Sequence, residues 1–306
     1  MNGLLPGDVT VLERGWLSSN NILVHAPDGE SAVLVDSGHV NHAAQTQALV
    51  SHALRGARLE RLLNTHLHSD HCGGNATLQR AHPGLPTDVP PGPFDAVQRW
   101  DEAALSYAPT GQRCERFAAT GVLRPGSAVM LGGRPWDVIA APGHDPDAVM
   151  LFDAHHGVLV SADALWEHGF GVVFPELDGE RAFDDVGAVL DAIERLPVAL
   201  VLPGHGAPFT DVAGAIARAR ARLAAFQAEP ARHARHAAKV LLKYHLMEER
   251  AQPLAELLAW AERTPLHRRI HQGHGCGTLA EWTLGLVDDL VASGAVVRDG
   301  ERVADA

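Results

Sequence analysis

Short apolar runs separated by turn signals open the chain. "VTVLERG", "NNILVHA" and "SAVLVDSG" are rich in Val, Leu and Ile and are broken by Asp-Gly and Ser-Gly, which predicts strands up to about residue 60. A helix is predicted at "HAAQTQALVSHAL". "LERLLNTHLHSDHCGGNATLQRAH" then reads as a short strand, a loop and a helix. Residues 83–125 are less regular, rich in Pro and Gly before a predicted helix around "FDAVQRWDEAALSYA", and are read as an insertion lying over one face. Strands return over 126–210, with a helix at "AFDDVGAVLDAIERL". From about 211 the pattern is helical: "VAGAIARARARLAAFQA", "ARHARHAAKVLLKYHLMEER", "PLAELLAWAER" and "TLAEWTLGLVDDLVASG", ending in a hairpin at "AVVRDGERVAD". The change of class near 225 divides the chain into an α/β domain, 1–225, and a small, mainly helical domain, 226–306.

Several predicted strands end on a histidine or a carboxylate. "ERLLNTHLH" runs into His66, His68, Asp70 and His71; "WDVIAAPGHDPD" ends at His144, "GVLVSADALW" at Asp163 and "VALVLPGHGAPF" at His205. Loops at strand ends are where a rigid scaffold carries chemistry. Neutral imidazoles and carboxylates at tight, irregular spacing make a poor core and a good set of metal ligands. Glycine precedes both His144 and His205 and permits a tight turn there.

Composition narrows the classes. The chain has 306 residues, 46% of them hydrophobic, and contains no apolar run of membrane-spanning length. Its formal charge of −12 repels nucleic acid unless a basic patch is hidden within it. Three cysteines in no CxxC spacing require no disulfide framework. The start lacks a basic segment followed by an apolar run, so a cytoplasmic protein is expected. With 19 histidines, many are bland. His233 and His236 fall at helical spacing on an expected solvated face, His155 and His156 in a turn, and His271 and His274 near Cys276 in a Gly-rich loop.

The set His66-x-His68-x-Asp70-His71, His144, Asp163 and His205, with Asp36 in "VDSG", resembles the metallo-β-lactamase fold hydrolases over residues 9 to about 210. The resemblance implies an αββα sandwich with its site at one sheet edge. It also implies two metal sites: His66, His68 and His144 at one, Asp70, His71 and His205 at the other, Asp163 bridging both. Asp36 would support the ligand loop through hydrogen bonds. Two divalent ions, zinc first with iron or manganese as alternatives, would share a hydroxide that Asp70 orients. The expected protein is therefore a binuclear zinc hydrolase.

Departures from the family's patterns restrict the substrate. Zinc β-lactamases commonly carry Cys where Asp163 stands, and related lactonases carry Tyr where Trp166 stands. A small ester, thioester or lactone remains the expected substrate. The alternatives are a metal-dependent nuclease or phosphodiesterase, or a non-catalytic metal-binding module. "DALWEHGFGVVF" follows the bridging carboxylate, which makes Trp166 and His168 candidates for substrate contact; Tyr107 and Arg113 are further ones. The tail looks like the winged-helix-like extension of some family members. Its would-be recognition helix is acidic, so no nucleic-acid partner is expected. Leu257, Leu258, Trp260, Trp282, Leu286 and Leu290 recur at helical spacing and suit packing within the tail, on the catalytic domain, or in a homodimer.

Overall fold

A computed structural model describes residues 5–306. Strands β1 (Val9–Leu12), β2 (Asn21–His25), β3 (Ser31–Val35), β4 (Arg58–Leu63), β5 (Thr87–Val89) and β6 (Gly121–Val122) form one sheet in that order. The first three are antiparallel, and β3 to β6 run parallel. Strands β7 (Ala128–Leu131), β8 (Arg134–Ala140), β9 (Val149–Asp153), β10 (Val158–Ala162) and β11 (Leu200–Pro203) form a second sheet, in which only β10 and β11 are parallel.

Period-two alternation explains why both faces of the first sheet are covered. Ile22, Val24, Val33 and Val35 pack inward with Trp136, Val138, Leu151, Val160 and Leu202 of the second sheet. Leu23 and Leu34 point the other way and pack with Val50 and Leu54 of helix α1 (Ala43–Leu54). The short helices α2 (Ser69–Cys72) and α3 (Asn75–Ala81) follow β4, and Leu78 of α3 joins the same outer cluster. Two α-helices interrupt the irregular stretch, α4 (Phe94–Arg99) and α5 (Tyr107–Thr110). On α6 (Ala182–Arg195), Ala182, Phe183, Val186, Val189, Leu190 and Ile193 are buried, the stripe of an amphipathic surface helix. Helix α7 (Val212–Ala228) follows β11. The architecture is the αββα sandwich of two mixed sheets covered by helices.

The chain clusters into two units. One takes residues through Leu105 together with Arg113–Leu223; the other takes Ser106–Gln112 and Ala224–Ala306. The stretch 83–125, expected as an insertion over one face, is instead divided. It supplies β5 and β6 to the edge of the first sheet, and Ser106–Gln112 belongs with the second unit. Its expected long helix stops at Arg99, because Trp100 adopts a left-handed backbone at φ 56°.

The second unit contains α8 (Pro230–Glu249), β12 (Ala251–Pro253), α9 (Leu254–Arg263), α10 (Pro265–His274), α11 (Leu279–Ala292), β13 (Val296–Asp299) and β14 (Arg302–Asp305). Its three strands pair antiparallel in the order β12-β14-β13. Leu257, Leu266, Ile270, Trp282 and Leu286 are buried in its core. A reciprocal capping box between Thr278 and Glu281 starts α11. Two sequence readings are corrected here. His233 is buried, 5.0 Å from the Phe226 ring, and not on a solvated face. His271 and His274 lie in α10, not in a loop. Among the described residues no helix is long and apolar enough to cross a membrane.

Candidate metal centre

Asp36 follows β3, His66 follows β4 closely, Asp163 follows β10, and His205 comes two residues after β11. His144 sits in the connection from β8 to β9. Two of these exits are strained: Asp36 has φ 58° and Ala162, just before Asp163, has φ 47°. Non-glycine residues rarely adopt these angles, and such strain persists where surrounding bonds over-determine it. At Asp36 those bonds are visible. Its carboxylate accepts from the Thr65 backbone N–H at 2.9 Å, the Thr65 hydroxyl at 2.8 Å and His71 Nδ1 at 2.8 Å.

The seven histidines and aspartates converge. His66, His68 and His144 present ligating atoms within 4.8 Å of one another; so do Asp70, His71 and His205, and so do His66, His71 and Asp163. All seven are buried. Asp163 lies between the sets, with Oδ1 3.4 Å from His71 Nε2 and Oδ2 3.4 Å from His144 Nε2 and 3.8 Å from His205 Nε2. Asp70 Oδ2 accepts from His205 Nε2 at 3.0 Å. His144 donates Nδ1–H to the Val172 carbonyl at 2.5 Å, which leaves its Nε2 as a lone pair facing His68 Nδ1 at 2.7 Å.

The donor set fits metal ions. Buried polar atoms normally find partners, yet His66 Nε2, His71 Nε2 and His205 Nδ1 are buried without a hydrogen-bond partner. Burial, reinforced by neighbouring imidazoles, holds His66 well below the ordinary histidine value and His144 at about 4. Burial likewise holds His68 at about 4, against the pull of Asp70. These three rings are neutral at pH 7, the form that binds metal. Burial pushes Asp70 and Asp163 up, but the His71 and His205 rings outweigh it, bringing Asp70 to about 2 and Asp163 well below its ordinary value. His71 goes the other way: burial opposes its charge, and Asp163, Asp36 and Asp70 together raise it well above 6.5.

Glycine at two positions makes the approach possible. A Cβ on Gly204 would lie 2.2 Å from Asp163 Oδ1, and one on Gly171 would lie 2.4 Å from His144 Nδ1. At Gly204 the requirement is therefore space, and the sequence reading of a turn is only part of the reason. Behind the ligand loop, the Ser37 N–H donates to the His71 carbonyl at 2.7 Å. Asn64 donates to the same carbonyl at 3.2 Å.

The substrate candidates separate. Trp166 donates its indole N–H to Asp163 Oδ1 at 3.2 Å, so it does hydrogen-bond at the centre, to the chain's own carboxylate. His168 is exposed beside Glu167. Tyr107 is buried within the second unit, where α5 packs on α10. Arg113 opens the second segment of the sandwich unit. Sequence reasoning missed Trp16. Its indole lies flat on His205, with ring centres 5.3 Å apart and planes 9° apart, and meets Trp166 edge-on at 5.4 Å. It is 59% exposed. Phe174 borders the other side, 5.3 Å from the His68 ring and 5.6 Å from His144.

Comparison with known proteins agrees with this geometry. The model of the metallo-beta-lactamase superfamily matches residues 14–205. The chain is 29% identical over 190 residues to a hydroxyacylglutathione hydrolase of Synechococcus sp. (strain JA-2-3B'a(2-13)), covering 62% of this chain and 64% of that protein. It is 29% identical over 153 residues to the acyl-coenzyme A thioesterase MBLAC2 of Bos taurus, covering 46% of this chain and 54% of that one. The chain thus spans less than two thirds of either relative. A metallo-beta-lactamase family protein from Thermus thermophilus shares the fold, with a TM-score of 0.58 at 22% identity, over 99% of this chain and all of that one.

Proposed function

The chain belongs to the metallo-β-lactamase superfamily, and from that premise we propose that it hydrolyses acyl thioesters with two divalent ions, zinc first among them. The observation that carries the reading is the convergence of seven buried ligating side chains, in which His66 Nε2 and His71 Nε2 are buried without a hydrogen-bond partner and His71 Nε2 lies 3.4 Å from Asp163 Oδ1. Neutral imidazoles and carboxylates suit zinc, with iron and manganese as alternatives. The thioester class is supported by the hydroxyacylglutathione hydrolase and the acyl-coenzyme A thioesterase among the relatives.

His66, His68 and His144 would hold one ion, Asp70, His71 and His205 the other, with Asp163 shared. Bound there, the ions supply a water whose pKa falls from about 15.7 to about 7 and a Lewis acid for the carbonyl. Asp70, held ionised, accepts the hydrogen bond that orients the attacking water. Asp36 fixes the His71 ring through Nδ1, and the Val172 carbonyl fixes His144. Trp166 steadies Asp163, and the exposed face of Trp16 offers an apolar wall to the substrate.

Thiol release from acyl-coenzyme A and 2-hydroxyacylglutathione, compared with p-nitrophenyl esters, a lactone and bis-p-nitrophenyl phosphate on metal-loaded protein, tests this. Thioesters should be turned over with the highest kcat/KM. A clear preference for the phosphodiester would sink the reading and promote a nuclease.

A further inference from the structure

Cys72 closes α2, directly after His71, and is fully buried. Its thiol donates toward the His68 carbonyl at 3.3 Å and the Leu67 carbonyl at 3.5 Å, the backbone that carries the ligands. Cys114 lies in the irregular stretch before β6, is partly exposed, and belongs to the same unit. Its sulfur is 3.8 Å from that of Cys72. The neighbouring Glu115 is paired with Arg80 of α3 at 2.8 Å, which keeps this stretch beside the helices that follow the ligand loop.

We infer that Cys72 and Cys114 form a reversible thiol–disulfide pair, closed by a two-electron oxidant of the hydroperoxide class. A disulfide requires about 2.05 Å between sulfurs, so the two must approach by roughly 1.8 Å. The backbone that follows α2 is closely packed. A Cβ on Gly73 would lie 2.4 Å from the Val40 amide nitrogen and 2.5 Å from the Ser69 carbonyl oxygen. Residues 113–116 lie in no helix or strand and supply the movement.

The chemistry balances with hydrogen peroxide. The more accessible Cys114 thiol is oxidised first: its sulfur gains an oxygen as a sulfenic acid, and the peroxide is reduced to water. The Cys72 sulfur then attacks the Cys114 sulfur. The S–S bond forms, the S–O bond breaks, and a second water leaves with the Cys72 proton. A dithiol reverses the step. Closure ties α2 to the 113–116 segment without removing a metal ligand.

The test uses the full chain carrying Cys276→Ser, which removes the remaining thiol. Limiting hydrogen peroxide should lower the intact mass by two hydrogens. Tryptic mapping should find the Cys72 peptide linked to the Cys114 peptide within one chain, and dithiothreitol should undo both changes. The closed form should melt several degrees higher, because a cross-link restricts the unfolded chain. Adding Cys114→Ser should abolish the mass loss and the melting shift while the protein stays folded with unchanged basal turnover. Oxidation that stops at a sulfinic acid on Cys114, or that links Cys114 between two chains, overturns the inference.

Discussion

Asp36 Oδ2 lies 2.8 Å from His71 Nδ1, and this bond decides which nitrogen of His71 faces the cluster. With Nδ1–H committed to Asp36, Nε2 is left pointing toward Asp163 and has no hydrogen-bond partner. Asp36 belongs to none of the candidate ligand sets, yet it orients the ring and holds the Nδ1 proton, so that Nε2 is the nitrogen free to give up its proton. It also accepts two bonds from Thr65, next to His66, so one carboxylate ties the end of β3 to the ligand loop.

Asp36→Asn tests that bond. Asparagine tolerates the left-handed backbone at φ 58° but lacks the negative charge. Metal affinity, measured by competition with a chelator, should fall about 10- to 100-fold, with the circular dichroism spectrum unchanged. Undiminished affinity would show that His71 is held by its surroundings without Asp36.

Metal uptake should release a proton from His71. Three carboxylates raise this ring well above 6.5 in the metal-free chain, so it is charged at pH 7 and must lose its Nε2 proton to bind. Calorimetric titrations in buffers of different ionisation enthalpy should report about one proton released per chain, and affinity should rise with pH. The sign for metal-free stability is opposite. A raised histidine stabilises fully below 6.5 and loses that contribution as pH rises through the folded value. Metal binding with no proton release at pH 7 would contradict the charged state of His71.

Trp16 should act on substrate binding. Trp16→Ala removes an exposed ring stacked on His205 while leaving every ligand-type side chain in place. KM for an aromatic acyl thioester should rise roughly fivefold, in line with about 1 kcal/mol for a ring contact, with kcat little changed. Trp166→Phe removes the N–H that reaches Asp163, so its loss should fall on kcat or metal retention. A Trp16→Ala variant that loses metal would show the ring to be a prop for His205.

The second unit should not bind nucleic acid. Asp289 on α11 is paired with Arg235 and Lys239 of α8, and Lys243 is paired with Asp305. Basic side chains of α8 are thus engaged by the unit's own carboxylates. Fluorescence anisotropy with single-stranded RNA and duplex DNA at low salt should show no submicromolar binding. Tight binding that falls steeply with salt would reverse this expectation.

Much of the sandwich was legible because its strands are short apolar runs and because strand ends deliver ligand-type residues at irregular spacing. The helix of "VAGAIARARARLAAFQA" falls on Val212–Ala228 as its composition predicts. Other features depend on tertiary contacts. Trp16 carries no periodic signal, and only the folded chain brings it onto His205. The helix predicted through "FDAVQRWDEAALSYA" breaks at Trp100, where a left-handed residue overrides favourable propensity. Helix α10 begins at Pro265, and its Gly273 and histidines disguised it as a loop. His233 shares its helix with arginines, and its burial against Phe226 is set by packing.

The most direct measurement is thiol release from a thioester by chelator-stripped protein, titrated with zinc. The rate should be negligible without metal and rise to a plateau at two equivalents per chain. Asp163→Ala, which removes the carboxylate between the His71, His144 and His205 rings, should flatten the curve. Undiminished turnover in stripped protein, or full activity saturating at one equivalent, would contradict a binuclear hydrolase.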